Sequence, residues 1–362
     1  ASLRGSSGGV RVFKFLAGWF SRDVGIDLGT ANVVVYVENK GVVLNEPSVL
    51  ATRKSGRKGQ KEILAIGMEA KRMIGKTPAG VETVRPLQHG VIADFEMTEN
   101  LIQHVMVRAN QGRRLFVHPR VVVCVPACVT EVEKRAVVDA TLGAGAREAF
   151  VVEEPLAAAL GTGLPIHEPR GNMIVDIGGG TSEVAVLSLG GIVISHSLRV
   201  AGDEMDNALV AMMRQNYTLS IGETTAEEIK FALGSAAPLE QELEMEVKGR
   251  DLMDGLPKVV RVSSVEVREA LSPIIERIED MLRMALEKTP PELVKDIVDQ
   301  GLMLTGGGAN LRGLNLRLAD ALNVPVHLAE QPLFSVALGL GKMLQSMDLT
   351  RKITVSVEGG GA

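Results

Sequence analysis

Two spacings of apolar residues divide this chain into predicted strands and predicted helices. Over 23–65, valine and isoleucine alternate with polar residues between turn residues, which is typical of half-buried strands. Over 98–110, apolar residues instead recur at helical spacing and share one face. The two spacings therefore predict an α/β protein that begins with a β-meander.

Three helix starts are predicted from capping boxes, in which a hydroxyl residue is followed three positions later by glutamate. The hydroxyl and the carboxylate then satisfy N–H groups that the first helical turn leaves free. The three pairs are Thr130 with Glu133, Thr225 with Glu228, and Ser263 with Glu266.

An acidic glycine turn is predicted within 172–187, where an apolar run ends in Asp176, passes through glycines and resumes. This pattern predicts a tight β-hairpin whose turn exposes backbone N–H donors, which suit phosphate oxygens. Asp176 can hold a hydrated Mg²⁺, which takes only one or two carboxylates. An ordinary hairpin with a flexible turn is the alternative for this stretch. The turn residues are Gly178, Gly179, Gly180 and Thr181.

A second copy of this pattern lies near the start of the chain, over 24–36. A strand again ends in an acid, Asp27, and a short turn leads into another apolar strand. The two acids lie about one domain length apart, which indicates a duplicated domain whose hairpins would clamp one triphosphate. The turn residues of this copy are Gly29, Thr30, Ala31 and Asn32.

A third glycine cluster follows the apolar strand after Gly301 and precedes a predicted helix. Strand, glycines and helix form a nucleotide-binding arrangement in general, although one instance is a weak signal. Three glycine clusters in one chain together favour a nucleotide site. The residues of this cluster are Gly306, Gly307, Gly308 and Ala309.

Glu154 occupies a predicted junction between a strand over 149–153 and a helix. Pro155 suits the first helical turn, and Gly161 suits the helix stop. Open α/β folds place functional groups at such strand ends. The residues alone leave two interpretations open: a catalytic carboxylate, or one that only stabilises the helix N-terminus.

Composition and charge limit the classes of protein to which this chain can belong. With 362 residues and 46% hydrophobic residues, the chain can bury a large core in two domains or more. A net charge of −5 and the lack of a long lysine or arginine run argue against a nucleic-acid partner. Cys124 and Cys128 fit neither a zinc knuckle nor a CxxC motif and are predicted to be buried thiols. No apolar run reaches the roughly 18 residues that span a bilayer.

The order of the three glycine elements resembles that of the superfamily of actin, sugar kinases and heat-shock chaperone ATPases. Within it, the sequence over about 23–344 is similar to the MreB family, the bacterial actin homologues of rod-shaped cells. The resemblance implies an α/β fold of two actin-like lobes, duplicated and ribonuclease H-like, with a nucleotide cleft between them. It is carried by GIDLGTAN, LNEPSVLA, VVEEPLAAALGTGLP, GNMIVDIGGGTSEVAVLSLGGIV and LTGGGANLRGL.

The same resemblance implies ATP and Mg²⁺ as ligands of that cleft, together with weak hydrolysis of ATP. Asp27 and Asp176 would position Mg²⁺ through water. Glu154 would orient or deprotonate the attacking water, with Thr181 at the same centre. The two hairpin turns would hold the phosphates, and the third glycine cluster would lie against the adenosine.

Two further segments are assigned to the cleft by the resemblance, with Glu227 and Lys230 near the ribose and base. The alternative is a capped surface helix that carries an ion pair between these two residues. The residues of the two segments are Gly202, Glu227, Glu228 and Lys230.

Membrane binding is predicted from two apolar segments. Within 10–22, aromatic and aliphatic residues follow helical spacing beside cations, which is typical of a helix lying on an anionic membrane. Leu115 and Phe116, flanked by arginines, resemble the apolar loop of the family. The alternative is that all these residues pack onto the first lobe. The helix residues are Phe13, Phe15, Leu16, Trp19 and Phe20.

The predicted organisation and function follow from the resemblance. We expect a cytoplasmic, peripheral protein that forms antiparallel double protofilaments on the inner face of the membrane and acts with membrane proteins of cell-wall elongation. A non-filamentous ATPase, chaperone-like or sugar-kinase-like, is one alternative, and a paralogue that binds nucleotide and assembles without shaping cells is another. The predicted segments are a leader and membrane segment over 1–22, a first lobe over 23–163 with a subdomain near 50–90, a second lobe over 164–350 with a subdomain near 203–262, and a tail over 351–362.

Overall fold

The computed structural model describes residues 23–54, 61–110 and 118–346 and the strand Val355–Glu358. Phe13, Phe15, Leu16, Trp19, Phe20, Leu115 and Phe116 lie outside the described residues. The strands are β1 (Val24–Leu28), β2 (Asn32–Val37), β3 (Gly41–Pro47), β4 (Leu50–Lys54), β5 (Lys61–Ile66), β6 (Val81–Val84), β7 (Leu87–Gln88), β8 (Val91–Ile92), β9 (Arg120–Val125), β10 (Glu148–Glu153), β11 (Asn172–Ile177), β12 (Ser182–Ser188), β13 (Gly191–Leu198), β14 (Leu219–Ser220), β15 (Glu244–Asp251), β16 (Pro257–Ser263), β17 (Leu302–Thr305), β18 (Val326–Leu328) and β19 (Val355–Glu358).

Helices connect and cover these strands. In the part of the chain described above, no helix is long and apolar enough to cross a membrane. The helices are α1 (Met68–Lys71), α2 (Phe95–Ala109), α3 (Glu131–Gly143), α4 (Glu154–Thr162), α5 (Gly202–Tyr217), α6 (Glu223–Leu233), α7 (Ser264–Lys288), α8 (Pro291–Gln300), α9 (Leu314–Leu322) and α10 (Ser335–Gln345), with single 3₁₀ turns at Gly307–Asn310 and Pro332–Phe334.

Two mixed sheets repeat one strand order. The first runs β3-β2-β1-β9-β10, with β19 added beyond β10, and the second runs β13-β12-β11-β17-β18. In each sheet three antiparallel strands form a meander, and the next two strands run parallel to the first strand of that meander. The predicted duplication is therefore confirmed, and the chain has two α/β lobes.

The burial of the central strands on both faces explains why their sequences are continuous apolar runs. Every residue of β11 is buried, because helices cover both faces of its sheet. Helices α2 and α3 pack on the first sheet, and α5 and α7 pack on the second. Helices α4 and α10 share a third core with both sheets, in which Leu156 and Leu340 meet Phe150 and Ile174. Although α10 falls within the predicted second lobe, it packs between the two sheets, and the predicted limits of the lobes stay predictions.

The helix that begins at Glu154 is held by a close backbone contact with α10. A Cβ added at Gly161 would overlap the carbonyl oxygen of Ser335, and one added at Gly339 would overlap that of Ala157. The prediction that Gly161 ends the helix is wrong: α4 continues to Thr162, and the left-handed residue at its end is Gly163, with φ 79°. Gly161 is needed for packing instead.

Gly339→Ala is expected to lower the free energy of unfolding by about 3 kcal/mol, because the added methyl group can be accommodated only by separating the two helices. Chemical denaturation without nucleotide measures this change. Gly222→Ala is the matched control, since no atom lies within 4 Å of a Cβ at Gly222, and its cost should stay at or below about 1 kcal/mol. Equal costs for the two variants would contradict the close contact.

Other local predictions had mixed outcomes. The capping boxes of Thr130 and Ser263 are confirmed. The capping box predicted at Thr225 is wrong, because the N-cap of α6 is Gly222, three residues earlier, and no side chain caps the helix there. The helix predicted over 98–110 begins at Phe95, since the carboxylate of Asp94 accepts the N–H of Met97 and caps it there. The predicted meander divides, because β4 leaves the main sheet to pair with β5 and β6.

Candidate functional site

A cavity of about 580 Å³ opens between the two lobes, where the acidic hairpins β1–β2 and β11–β12 turn. Among the predicted nucleotide residues, two are not on its wall. Glu228 is exposed on α6, and Ala309 is buried. The structure therefore brings all three glycine clusters and Glu154 together in one cleft.

The two hairpin turns touch each other across this cleft. A Cβ added at Gly179 would lie 2.5 Å from the Cβ of Ala31, and one added at Gly180 would lie 2.8 Å from the side chain of Thr30. The Thr30 hydroxyl also accepts the N–H of Gly90, at 3.0 Å. The glycines of the β11–β12 turn do not adopt positive φ, so the close approach of the two lobes explains why glycine is needed there.

Four carboxylates gather at the base of the cleft, where Asp27, Glu154 and Asp176 line the cavity and Glu183 lies behind them. Burial raises the pKa of Asp27 to about 6 and that of Asp176 to about 7, with the Asp27 charge adding to the second shift. Burial likewise raises the pKa of Glu154 well above its usual value and that of Glu183 to about 8. No lysine or arginine of the described chain offsets these four charges.

Such a set of oxygen ligands fits a hard divalent cation. Buried carboxylates without a cation are costly, and Mg²⁺ prefers oxygen ligands. Asp27, Glu154 and Cys124 each offer a ligand atom within 4.8 Å of the others. Cys124 is buried, and its thiol donates a hydrogen bond to Oδ1 of Asp27 at 3.3 Å. The prediction that both cysteines are buried is wrong for Cys128, which is exposed in the turn after β9.

The opposite end of the cavity is polar and partly aromatic. Nζ of Lys230 donates to Oδ2 of Asp206 at 2.8 Å and to the Gly202 carbonyl at 3.0 Å. The same ammonium lies 5.6 Å from the ring centroid of Phe231. Oδ1 of Asp206 is buried and has no hydrogen-bond partner. Asp206 belongs to the segment after Gly202 that the resemblance assigned to the cleft, whereas Phe231 was not predicted, since a single aromatic residue on a helix gives no distinctive spacing.

Two ion pairs cross the mouth of the cavity. Nζ of Lys71, from the first lobe, lies 2.7 Å from Oε2 of Glu227 in the second lobe. Arg85 of the first lobe pairs with Glu223, one helical turn before Glu227. The predicted alternative, an ion pair between Glu227 and Lys230, is therefore wrong, because each of these residues has another partner.

The duplicated sheets and the cleft with one acidic hairpin from each lobe define the actin-like class of two-lobed α/β proteins. The sequence model of the MreB/Mbl protein family matches residues 21–352. The chain belongs to this family.

Similar proteins agree with that assignment. The chain is 48% identical over 338 residues to the cell shape-determining protein MreB of Escherichia coli K12, covering 93% of this chain and 97% of that protein. It is 46% identical to the cell shape-determining protein Mbl of Bacillus subtilis 168, covering 93% and 100%. The structure of MreB5 of Spiroplasma citri bound to ADP has a TM-score of 0.86 at 36% identity, covering 92% and 99%. The MamK double helical filament, at 23% identity and a TM-score of 0.76, shares the fold.

Proposed function

We propose that this chain binds ATP with Mg²⁺ in the cleft and assembles into filaments that direct cell shape. The observation that carries the proposal is the contact between two acidic glycine hairpins, one from each lobe, on the wall of one cavity. MreB5 of Spiroplasma citri, which has the same fold, was solved with ADP and with AMPPNP. The related proteins are named for determining cell shape.

Different residues of the cleft would carry out different steps of ATP hydrolysis. Backbone N–H groups of the two turns would bind the phosphates, and Asp27 and Asp176 would hold Mg²⁺ through water. When bound, Mg²⁺ neutralises charge that develops on the phosphates. Glu154, at the N-terminus of α4, would accept a proton from the attacking water.

Hydrolysis would act as a switch for assembly. A γ-phosphate contacted by both hairpins would make lobe closure depend on the nucleotide. Filaments would form antiparallel double protofilaments on the cytoplasmic face of the membrane and act with membrane proteins of cell-wall elongation.

Sedimentation tests the assembly step. Wild-type protein should pellet with ATP and Mg²⁺ and stay in the supernatant with EDTA. Protein that hydrolyses ATP yet never pellets at any concentration would instead support the non-filamentous ATPase.

Membrane attachment is the second part of the proposal, and it rests on the sequence of 10–22 and on Leu115 with Phe116. One short helix binds weakly, so many copies in a filament would act together on anionic lipid. Trp19 is the single tryptophan, which makes its emission a direct probe. Anionic vesicles should shift that emission to the blue, and salt should partly reverse the shift. Unchanged emission together with no co-flotation of filaments would contradict attachment.

The pairs across the cavity mouth should slow nucleotide release. Lys71→Met should accelerate ADP release by up to about fivefold, because a partly exposed ion pair contributes at most about 1 kcal/mol. Stopped-flow displacement of a fluorescent ADP analogue measures the rate. The charge-swapped double variant Lys71→Glu with Glu227→Lys should restore slow release. A rate that salt and both variants leave unchanged would show that the pair does not retain nucleotide.

A further inference from the structure

A buried carboxylate behind the cleft floor, Glu183, has no role in the proposed hydrolysis. Glu183 is 1% exposed and is the only charged residue of β12. It stands directly opposite Asp176 in the register of the β11–β12 hairpin. Its nearest described partners are neutral, although a buried carboxylate without a cation is costly. A charge kept in an apolar strand beside a functional cleft points to a role in that cleft.

The hydrogen bonds of Glu183 connect the two lobes. The N–H of Ala127 is shared between its two carboxylate oxygens, at 3.2 and 3.3 Å. Ser197 stands opposite Glu183 on the neighbouring strand β13, and its side chain lowers the pKa of Glu183 and so partly offsets the effect of burial. Ala127 belongs to the first lobe, two residues after the end of β9, whereas Glu183 belongs to the second. The carboxylate therefore ties a turn of one lobe to the phosphate hairpin of the other.

That turn lies beside the residue that would activate water. Strands β9 and β10 are parallel neighbours, with Val125 in register with Glu153, and Glu154 follows directly. Burial raises the pKa of Glu154, and among the charges that add to this shift that of Glu183 comes first, ahead of Asp27 and Asp176. Through the N–H of Ala127, Glu183 therefore contacts the end of the sheet at which Glu154 begins α4.

We propose that Glu183 is a positioning residue for ATP hydrolysis: by binding the N–H of Ala127, it fixes the end of the first sheet, and with it Glu154, against the hairpin of Asp176. The inference rests on the proposed function. Small displacements of a catalytic group cost large factors in rate, whereas nucleotide binding is spread over three loops. Loss of this hydrogen bond should therefore affect turnover far more than affinity.

The test compares two substitutions that differ in hydrogen bonding. Glu183→Ala should lower kcat for ATP hydrolysis at least about tenfold, while the Kd for AMPPNP with Mg²⁺ stays within about threefold. Glu183→Gln keeps an oxygen that can accept the N–H of Ala127, so its kcat should stay within about threefold of wild type. Glu168→Gln is the control, because it removes a surface carboxylate that pairs with Arg170 and does not line the cavity, and it should leave kcat unchanged.

Each outcome decides the inference. Wild-type turnover in Glu183→Ala would overturn it, and so would an equal loss of affinity and turnover in that variant, which would indicate a general structural role. If Glu183→Ala does not fold, Glu183→Gln still decides, since a tenfold loss of kcat there would show that the charge and not the hydrogen bond matters. Absence of turnover in wild type would overturn the proposed function and this inference together.

Discussion

Glu154→Ala should lower kcat for ATP hydrolysis by about 10²–10⁴-fold, the usual contribution of a general base, while nucleotide affinity changes only several-fold. The side chain stands at the first residue of α4, and the helix is fixed by the contact of Gly161 with α10. Phosphate binding would use both hairpin turns and would not need this carboxylate. Single-turnover hydrolysis and equilibrium binding of AMPPNP measure the two quantities separately.

Glu168→Ala is a control for this prediction, because Glu168 pairs with Arg170 on the surface and does not line the cavity. Turnover of the control should equal that of wild type. A Glu154→Ala protein whose affinity and turnover fall by the same factor would show that Glu154 shapes the cleft and does not act on water.

Asp176→Asn should weaken nucleotide binding about 10–100-fold in Mg²⁺ and leave binding in EDTA almost unchanged. The aspartate lies at the floor of the cavity without a cation from the chain, and burial raises its pKa to about 7. A divalent cation would favour the charged form and depend on it, whereas asparagine offers only a neutral oxygen. Titration of a fluorescent ATP analogue in the two buffers measures the difference.

The control for this substitution is Asp296→Asn. Asp296 accepts the N–H of Gly171 at 2.8 Å, just before the opposite end of β11, and should not affect nucleotide binding in either buffer. An identical deficit of Asp176→Asn with Mg²⁺ and with EDTA would assign Asp176 a structural role.

The repeated part of the site could be predicted from the sequence. Asp27 and Asp176 end apolar runs and are followed by small residues, and this local pattern predicted both hairpins and their meeting in one cleft. Local patterns also predicted the caps at Thr130 and Ser263, because each cap is formed within one helical turn.

Contacts between distant parts of the chain could not be predicted in this way. Lys71 and Glu227 pair across the cleft although they are 156 positions apart, and no local pattern relates the two residues. Gly161 was interpreted as a helix stop from its local sequence. The glycine is instead required by tertiary packing against Gly339, which leaves no local signal. Glu183 did carry a signal, a single charge in an apolar strand, but its partner Ala127 belongs to the other lobe.

The central claim is that the two hairpins together hold one nucleotide with Mg²⁺, and calorimetric titration with AMPPNP and Mg²⁺ tests it most directly. Wild-type protein should bind one nucleotide per chain. Gly179→Val should bind far more weakly, because its side chain would occupy the space that Ala31 fills across the cleft, at 2.5 Å. Absence of binding in wild type, or undiminished binding in Gly179→Val, would contradict the claim.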